Sequence, residues 1–143
     1  MNDKSSRADI RVLVVDDEST VLDFVDRALR GAGYVTVLAG DGPQALALAA
    51  SGGPFDLLLV DVVMPNMTGE ELARRLRQRD RDLKVLYLTG FSDRLFKEKV
   101  TLWEGEAFLD KPTSAKGLLE AASLLLFGHV KSEVGPPKAP TDD

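Results

Sequence analysis

Cysteine is missing from the sequence altogether, which excludes a disulfide framework and any thiolate metal site and suits a reducing compartment. Long apolar runs are missing too: none approaches the roughly 20 residues of a membrane-spanning helix. The N-terminal "MNDKSSRAD" lacks the hydrophobic centre of a secretory signal. Together these lead us to expect a cytoplasmic protein with no membrane insertion. Positive charge is in deficit, with a formal net charge of -5, which argues against a protein whose main task is gripping phosphate backbones. The arginine-rich stretch Leu72–Lys84 interleaves Arg74, Arg75, Arg77, Arg79 and Arg81 with Leu72, Ala73 and Leu76. It reads as the solvated face of an amphipathic helix, and no direct nucleic acid binding is expected. Neither a G-x-x-x-x-G-K-[ST] loop nor a G-x-G-x-x-G turn after a strand is present, so a nucleotide switch has no phosphate cradle.

What is there alternates in period. "IRVLVVDDE" is a short buried strand ending in acids, followed by apolar residues at helical spacing, Val21, Phe24, Val25, Ala28 and Leu29. Ser19 is the expected N-cap of this helix, and Gly31–Gly33 end it. "YVTVLA" is the next strand. A helix follows with Asp41 near its cap and Pro43 in its first turn. "FDLLLVD" is the third strand, and Thr68 with Glu71 three residues on form a capping box for the third helix. "LKVLYLTG" is a fourth strand, "SDRLFKEKVTLWEG" a weaker helix, "EAFLDKP" a fifth strand and "TSAKGLLEAASLLLF" a last helix. Residues 1–10 read as a flexible N-terminal segment, 11–127 as one domain, and 128–143 as a flexible, proline-rich tail or linker. Five β–α pairs in strict alternation predict an α/β fold with a parallel sheet covered on both faces.

In such sheets ligands collect beyond the carboxyl ends of the strands. Those ends are Asp16-Asp17, Asp61, Thr89-Gly90 and Lys111-Pro112. Three gathered carboxylates repel one another unless a cation sits among them, and an open, all-oxygen site suits Mg²⁺. Each residue has a plainer reading. The acid pair could cap a helix, Asp61 could be a turn aspartate and Thr89 an ordinary strand residue. Lys111 could be a surface lysine paired with Asp110 or Glu106. The conjunction is what points to a site.

"VVDDE", "LLLVDVVMPNMTG", "LTG" and "FLDKP", in this order and spacing, resemble the receiver domain of two-component response regulators from about Arg11 to Phe127. The resemblance implies a flavodoxin-like doubly wound five-stranded sheet of order 2-1-3-4-5, the arrangement also found in chemotaxis receivers. It implies that Asp61 takes a phosphoryl group from a phosphohistidine carried by a sensor histidine kinase or a histidine phosphotransfer protein. Asp17, with Asp16, Asp61 and the backbone carbonyl of Val63, would hold Mg²⁺. Lys111 and Thr89 would bind phosphoryl oxygens, and Phe108 would rotate inward as the switch aromatic; its plainer reading is a core phenylalanine. The implied output surface comprises Leu95, Phe96, Lys99, Trp103, Phe108 and Lys116. It would address a downstream protein or a second copy of the chain in a phosphorylation-dependent homodimer. Val63 and Phe91 border the implied site, and their apolar side chains are expected to restrict access of hydrolytic water. Lys111-Pro112 matches a peptide bond that is usually cis in the family. The single histidine, His129, falls in the tail and reads as incidental.

Two features depart from the commoner pattern. One residue fewer separates Gly105 from Lys111, and Phe91 is bulky; both are more similar to receivers fused to hybrid sensor histidine kinases. Two other classes compete. A phosphorylation-independent interaction module would keep the fold, although the complete set Asp16, Asp17, Asp61, Thr89 and Lys111 argues against it. A Mg²⁺-dependent phosphatase would have D-x-D at the first strand, where this chain has adjacent acids, and would need room for a cap domain.

Overall fold

The computed structural model describes residues 9–90, 105–111 and 114–128. Five strands, β1 (Arg11–Val15), β2 (Val35–Ala39), β3 (Leu57–Asp61), β4 (Lys84–Thr89) and β5 (Glu106–Asp110), form one sheet in the order β2-β1-β3-β4-β5. Every neighbouring pair is parallel. This is the expected α/β topology, and the burial of the strands follows from it. The central β3 is buried on both faces and reads as an unbroken apolar run, whereas β2 and β5 at the edges are only partly covered.

The described helices are α1 (Ser19–Gly31), α2 (Gly42–Gly52), α3 (Gly69–Arg79) and α4 (Ala115–Phe127). The sheet divides the core in two. Val12, Val14, Leu57, Leu59, Leu86 and Leu88 pack with Val25 and Leu29 of α1 and Leu118 and Ala122 of α4. Leu13, Val15, Leu58, Val60, Val85 and Tyr87 pack with Ala45 of α2 and Leu72, Ala73 and Leu76 of α3. Alternate strand residues supply the two clusters, as the pleat requires.

Local signals account for most helix ends. Asp41 accepts a 2.8 Å bond from the Gln44 N–H, and Thr68 accepts one of 3.1 Å from the Glu71 N–H. These are the expected caps of α2 and α3. Helix α1 closes in a Schellman arrangement, the Tyr34 and Gly33 N–H groups donating to Leu29 and Arg30 carbonyls, with Gly33 at φ +95°. Ser19 is not the cap of α1. That position belongs to Glu18, which makes no side-chain capping bond; instead its N–H donates to Asp16 Oδ1 at 2.9 Å, so an aspartate turn aims the chain into the helix. Phe24 lies off the buried stripe of Val25 and Leu29 and is exposed. Ser114 caps α4 through the Gly117 N–H. All but Gly105 of the weaker helix expected over Ser92–Gly105, together with Pro112 of the Lys111-Pro112 bond and most of the 1–10 and 128–143 segments, falls outside the described residues.

Candidate functional site

Strands β1, β3 and β5 deliver acids and a lysine to one edge of the sheet. Asp16 immediately follows β1 and is fully buried; Asp61 ends β3 at 5% exposure; Asp17 is exposed. One carboxylate oxygen from each of the three lies within 4.8 Å of the others. Lys111, just past β5, reaches across with Nζ 3.1 Å from Asp16 Oδ2 and 3.3 Å from Asp61 Oδ1, and 3.4 Å from Glu18 Oε1. Its side chain is therefore drawn inward. The surface pairing with Asp110 or Glu106 gives way to these contacts, and Glu106 pairs with Arg77 at 2.9 Å.

The electrostatics are those of a crowded, partly dry site. Burial, and then the neighbouring Asp16 charge, pushes the Asp61 carboxyl up to about 6, against the pull of Lys111. Burial also raises Asp16, opposed by the Glu18 N–H and by Lys111. Burial pulls the Lys111 ammonium down, but its two carboxylate partners outweigh that and leave it raised, hence charged at neutral pH. One positive charge thus faces several negative ones. The buried Asp16 Oδ2 has the Lys111 ion pair at 3.1 Å but no hydrogen bond of acceptable geometry. An acceptor left short in this way, in an all-oxygen donor set, fits a hard divalent cation.

The loop after β3 explains the turn residues. The Gly69 N–H donates to the Val62 carbonyl at 2.9 Å, and a Cβ on Gly69 would stand 2.3 Å from the Asp61 carbonyl oxygen. Only glycine permits this close approach, which folds the loop back over β3 and starts α3. Met64 and Met67 bury beneath the loop, while Val63 projects outward at 60% exposure. Val63 is thus at the rim of the acidic edge. Phe91, its expected companion, lies outside the described residues, as do Leu95, Phe96, Lys99 and Trp103.

Thr89 is fully buried at the end of β4. It faces the α2–α3 side with Tyr87, by strand alternation. Its hydroxyl donates to Asp110 Oδ1 at 2.8 Å. Phe108 is half-buried and tilted against Tyr87, ring centroids 6.2 Å apart, so it packs on the core from an edge strand. Lys116 is exposed on α4 with Glu120 at 2.6 Å. The arginines of α3 are solvated as expected except for the half-buried Arg77. Two neighbours of the site were not legible beforehand, Glu18 and Asp110. The signal for Asp110 was its parity: two residues after Phe108, it shares that face of β5 and stands opposite Thr89 in register.

Comparison with known proteins agrees with this topology. The sequence profile described as "Response regulator receiver domain" matches residues 12–123. The response regulator MprA of Mycobacterium ulcerans (strain Agy99) is 39% identical over 118 residues, which are 82% of this chain and 50% of that protein. The sensor kinase CckA of Brucella abortus (strain 2308) is 35% identical over 116 residues, 80% of this chain but 12% of the kinase. The chain therefore spans about half, or far less, of these longer relatives. Among solved structures, the chemotaxis protein CheY4 of Vibrio cholerae superposes with a TM-score of 0.74 at 32% identity, covering 82% of this chain and 99% of that one. No helix among the described residues is long and apolar enough to cross a membrane. With its 2-1-3-4-5 parallel sheet and the acids and lysine gathered at one edge, the chain belongs to the response regulator receiver domain family of two-component signalling.

Proposed function

We propose that Asp61 is the phosphoacceptor of this receiver. A carboxylate oxygen of Asp61 would attack the phosphorus of a phosphohistidine. The new O–P bond would form as the P–N bond breaks, and the imidazole would leave with the bonding pair and regain a proton. The observation that carries this reading is the placement of Lys111 Nζ 3.3 Å from Asp61 Oδ1 and 3.1 Å from Asp16 Oδ2. One ammonium there can hold Asp61 in place beforehand and meet a phosphoryl oxygen afterwards.

Asp16, Asp17 and Asp61, with the Val63 carbonyl, would hold Mg²⁺, the ion that a set of hard oxygen donors at an open edge favours. When bound, the ion supplies neutralisation of charge on the transferred group. The chain's own residues do the rest. Asp16 turns the backbone into α1 through the Glu18 N–H, and Gly69 holds the loop that follows Asp61 tight against it. Val63 at the rim would limit hydrolytic water together with Phe91. The burial of Thr89 against β5 suits a hydroxyl that senses new oxygens, with Phe108 following it.

The donor would be the phosphohistidine of a sensor histidine kinase or of a phosphotransfer protein. Phosphorylation would bias a surface that includes Lys116 toward a downstream protein or a second copy of the chain. The direct test is intact-mass analysis after incubation with acetyl phosphate, in Mg²⁺ or chelator, beside Asp61→Asn. A metal-dependent gain of one phosphoryl group, absent from the variant, is expected. No gain from acetyl phosphate or from a phosphohistidine donor would favour a phosphorylation-independent interaction module.

A further inference from the structure

Thr89 and Asp110 form a pair that the phosphoryl chemistry does not by itself require. The Thr89 hydroxyl, on a fully buried residue, donates its 2.8 Å bond to a carboxylate on an exposed one. The contact is built into the sheet. Thr89 and Asp110 are partners in the β4–β5 register, one step beyond the Tyr87–Phe108 pair on the same face. The Lys111 N–H fastens the same place by donating to the Thr89 carbonyl at 2.7 Å.

A hydroxyl has one proton to donate. While Thr89 gives it to Asp110, it cannot give it to an oxygen carried by Asp61, so the two acceptors compete for it. We infer that Asp110 is a positioning residue, whose carboxylate latches the Thr89 hydroxyl before phosphorylation and sets how strongly a phosphoryl group must pull to capture it. This rests on the reading of Asp61 and Thr89 given above. The latch is releasable because its halves sit in different surroundings. An exposed carboxylate that loses the hydroxyl keeps solvent within reach, whereas the buried hydroxyl must exchange one acceptor for another. A charged acceptor holds it more strongly than a neutral one. Removing that acceptor shifts the equilibrium toward the phosphoryl-bound arrangement.

The test is calorimetric titration of the whole chain with beryllium fluoride in Mg²⁺, on wild type, Asp110→Ala, Asp110→Asn, Thr89→Val and the Thr89→Val/Asp110→Ala double variant. Asp110→Ala should bind about 5-fold more tightly, the equivalent of one ordinary hydrogen bond. Asp110→Asn, which keeps an uncharged acceptor, should fall between, and it gives the reading even if the alanine variant fails to fold. In the Thr89→Val background, Asp110→Ala should change nothing, because the latched group is gone. Equal affinities with Thr89 present would overturn the latch. So would an equal gain in the Thr89→Val background, which would assign the effect to the Asp110 charge alone. The Thr89 methyl resonance, read without metal or fluoride, should move in Asp110→Ala, and an unmoved resonance would also overturn it. Failure of wild type and every variant to bind beryllium fluoride would instead overturn the phosphoacceptor reading, and the latch with it.

Discussion

Asp61→Asn should make the metal-free protein more stable at neutral pH, although it removes the group on which the proposed chemistry depends. In the folded chain the Asp61 carboxyl is raised from 3.8 to about 6, chiefly by burial and then by Asp16. The sign follows from proton counting. Below about pH 4 Asp61 is protonated whether the chain is folded or not, and contributes no difference. Between about pH 4 and 6 the folded state keeps a proton that the unfolded state has released, so wild-type stability falls as pH rises. Above about pH 6 the penalty is complete, with a ceiling of ~3 kcal/mol from the two titration positions. Residual water contact at the edge of the sheet reduces it, so about 1–2 kcal/mol is expected. The asparagine variant escapes this fall, and Lys111 retains Asp16 and Glu18 as partners. Urea unfolding in chelator at several pH values measures the gap. It should be near zero at pH 4, open through pH 6 and stay constant above, and Mg²⁺ should narrow it by stabilising wild type. A variant no more stable than wild type at pH 7.5, or a gap independent of pH, would refute the account of a charge-crowded Asp61.

Other perturbations probe separate parts of the design. Lys111→Met should abolish acetyl phosphate labelling and, in chelator, destabilise the fold by roughly 2–4 kcal/mol, since Asp16 and Asp61 lose their nearest cation; urea unfolding with and without Mg²⁺ should show the loss shrinking when metal is present. Gly69→Ala should cost about 1–3 kcal/mol by driving a methyl into the Asp61 carbonyl, and should slow labelling, both checked on one preparation by unfolding and intact mass. Gly33→Ala, far from the acids, should cost about 1 kcal/mol through its left-handed backbone and leave the labelling rate unchanged. Val63→Ala should shorten the lifetime of the phosphoryl group if the exposed valine shields it, and an unchanged decay rate would remove Val63 from that role.

The sheet was legible because each of its strands is short, apolar and bounded, and because the alternation with helices leaves little choice of topology. Asp41 and Thr68 were readable as caps since each places its oxygen before a helical pattern. Ser19 was misread because Asp16, two residues before Glu18, takes over the turn into α1; a carboxylate serving both a backbone N–H and a lysine cannot be read from spacing. The strand-end residues Asp16, Asp17, Asp61, Thr89 and Lys111 were readable as candidates, and the fold gathers the three acids and the lysine while Thr89 bonds Asp110. The partner of Thr89 was not, because it depends on the register of β5 against β4, which the primary sequence does not reveal. Glu18 joined Lys111 for a similar reason: their 3.4 Å contact spans 93 residues of chain.

The sheet that divides the core in two also gives the chain two separately adjustable halves. Asp61 is in phase with Leu57 and Leu59, on the side packed by α1 and α4, whereas Thr89, Phe108 and Asp110 share the opposite side with Tyr87. A substitution that repacks α1 against α4 can therefore retune durability without displacing the side chains around the Thr89 hydroxyl. On the proposed switch, changes at Asp110 or Phe108 would alter responsiveness without reopening the hydrophobic layer beneath α1 and α4. With the switch as proposed, such a partition would let a lineage, or an engineer, vary robustness and sensitivity along separate axes, the two meeting only where the strands run out.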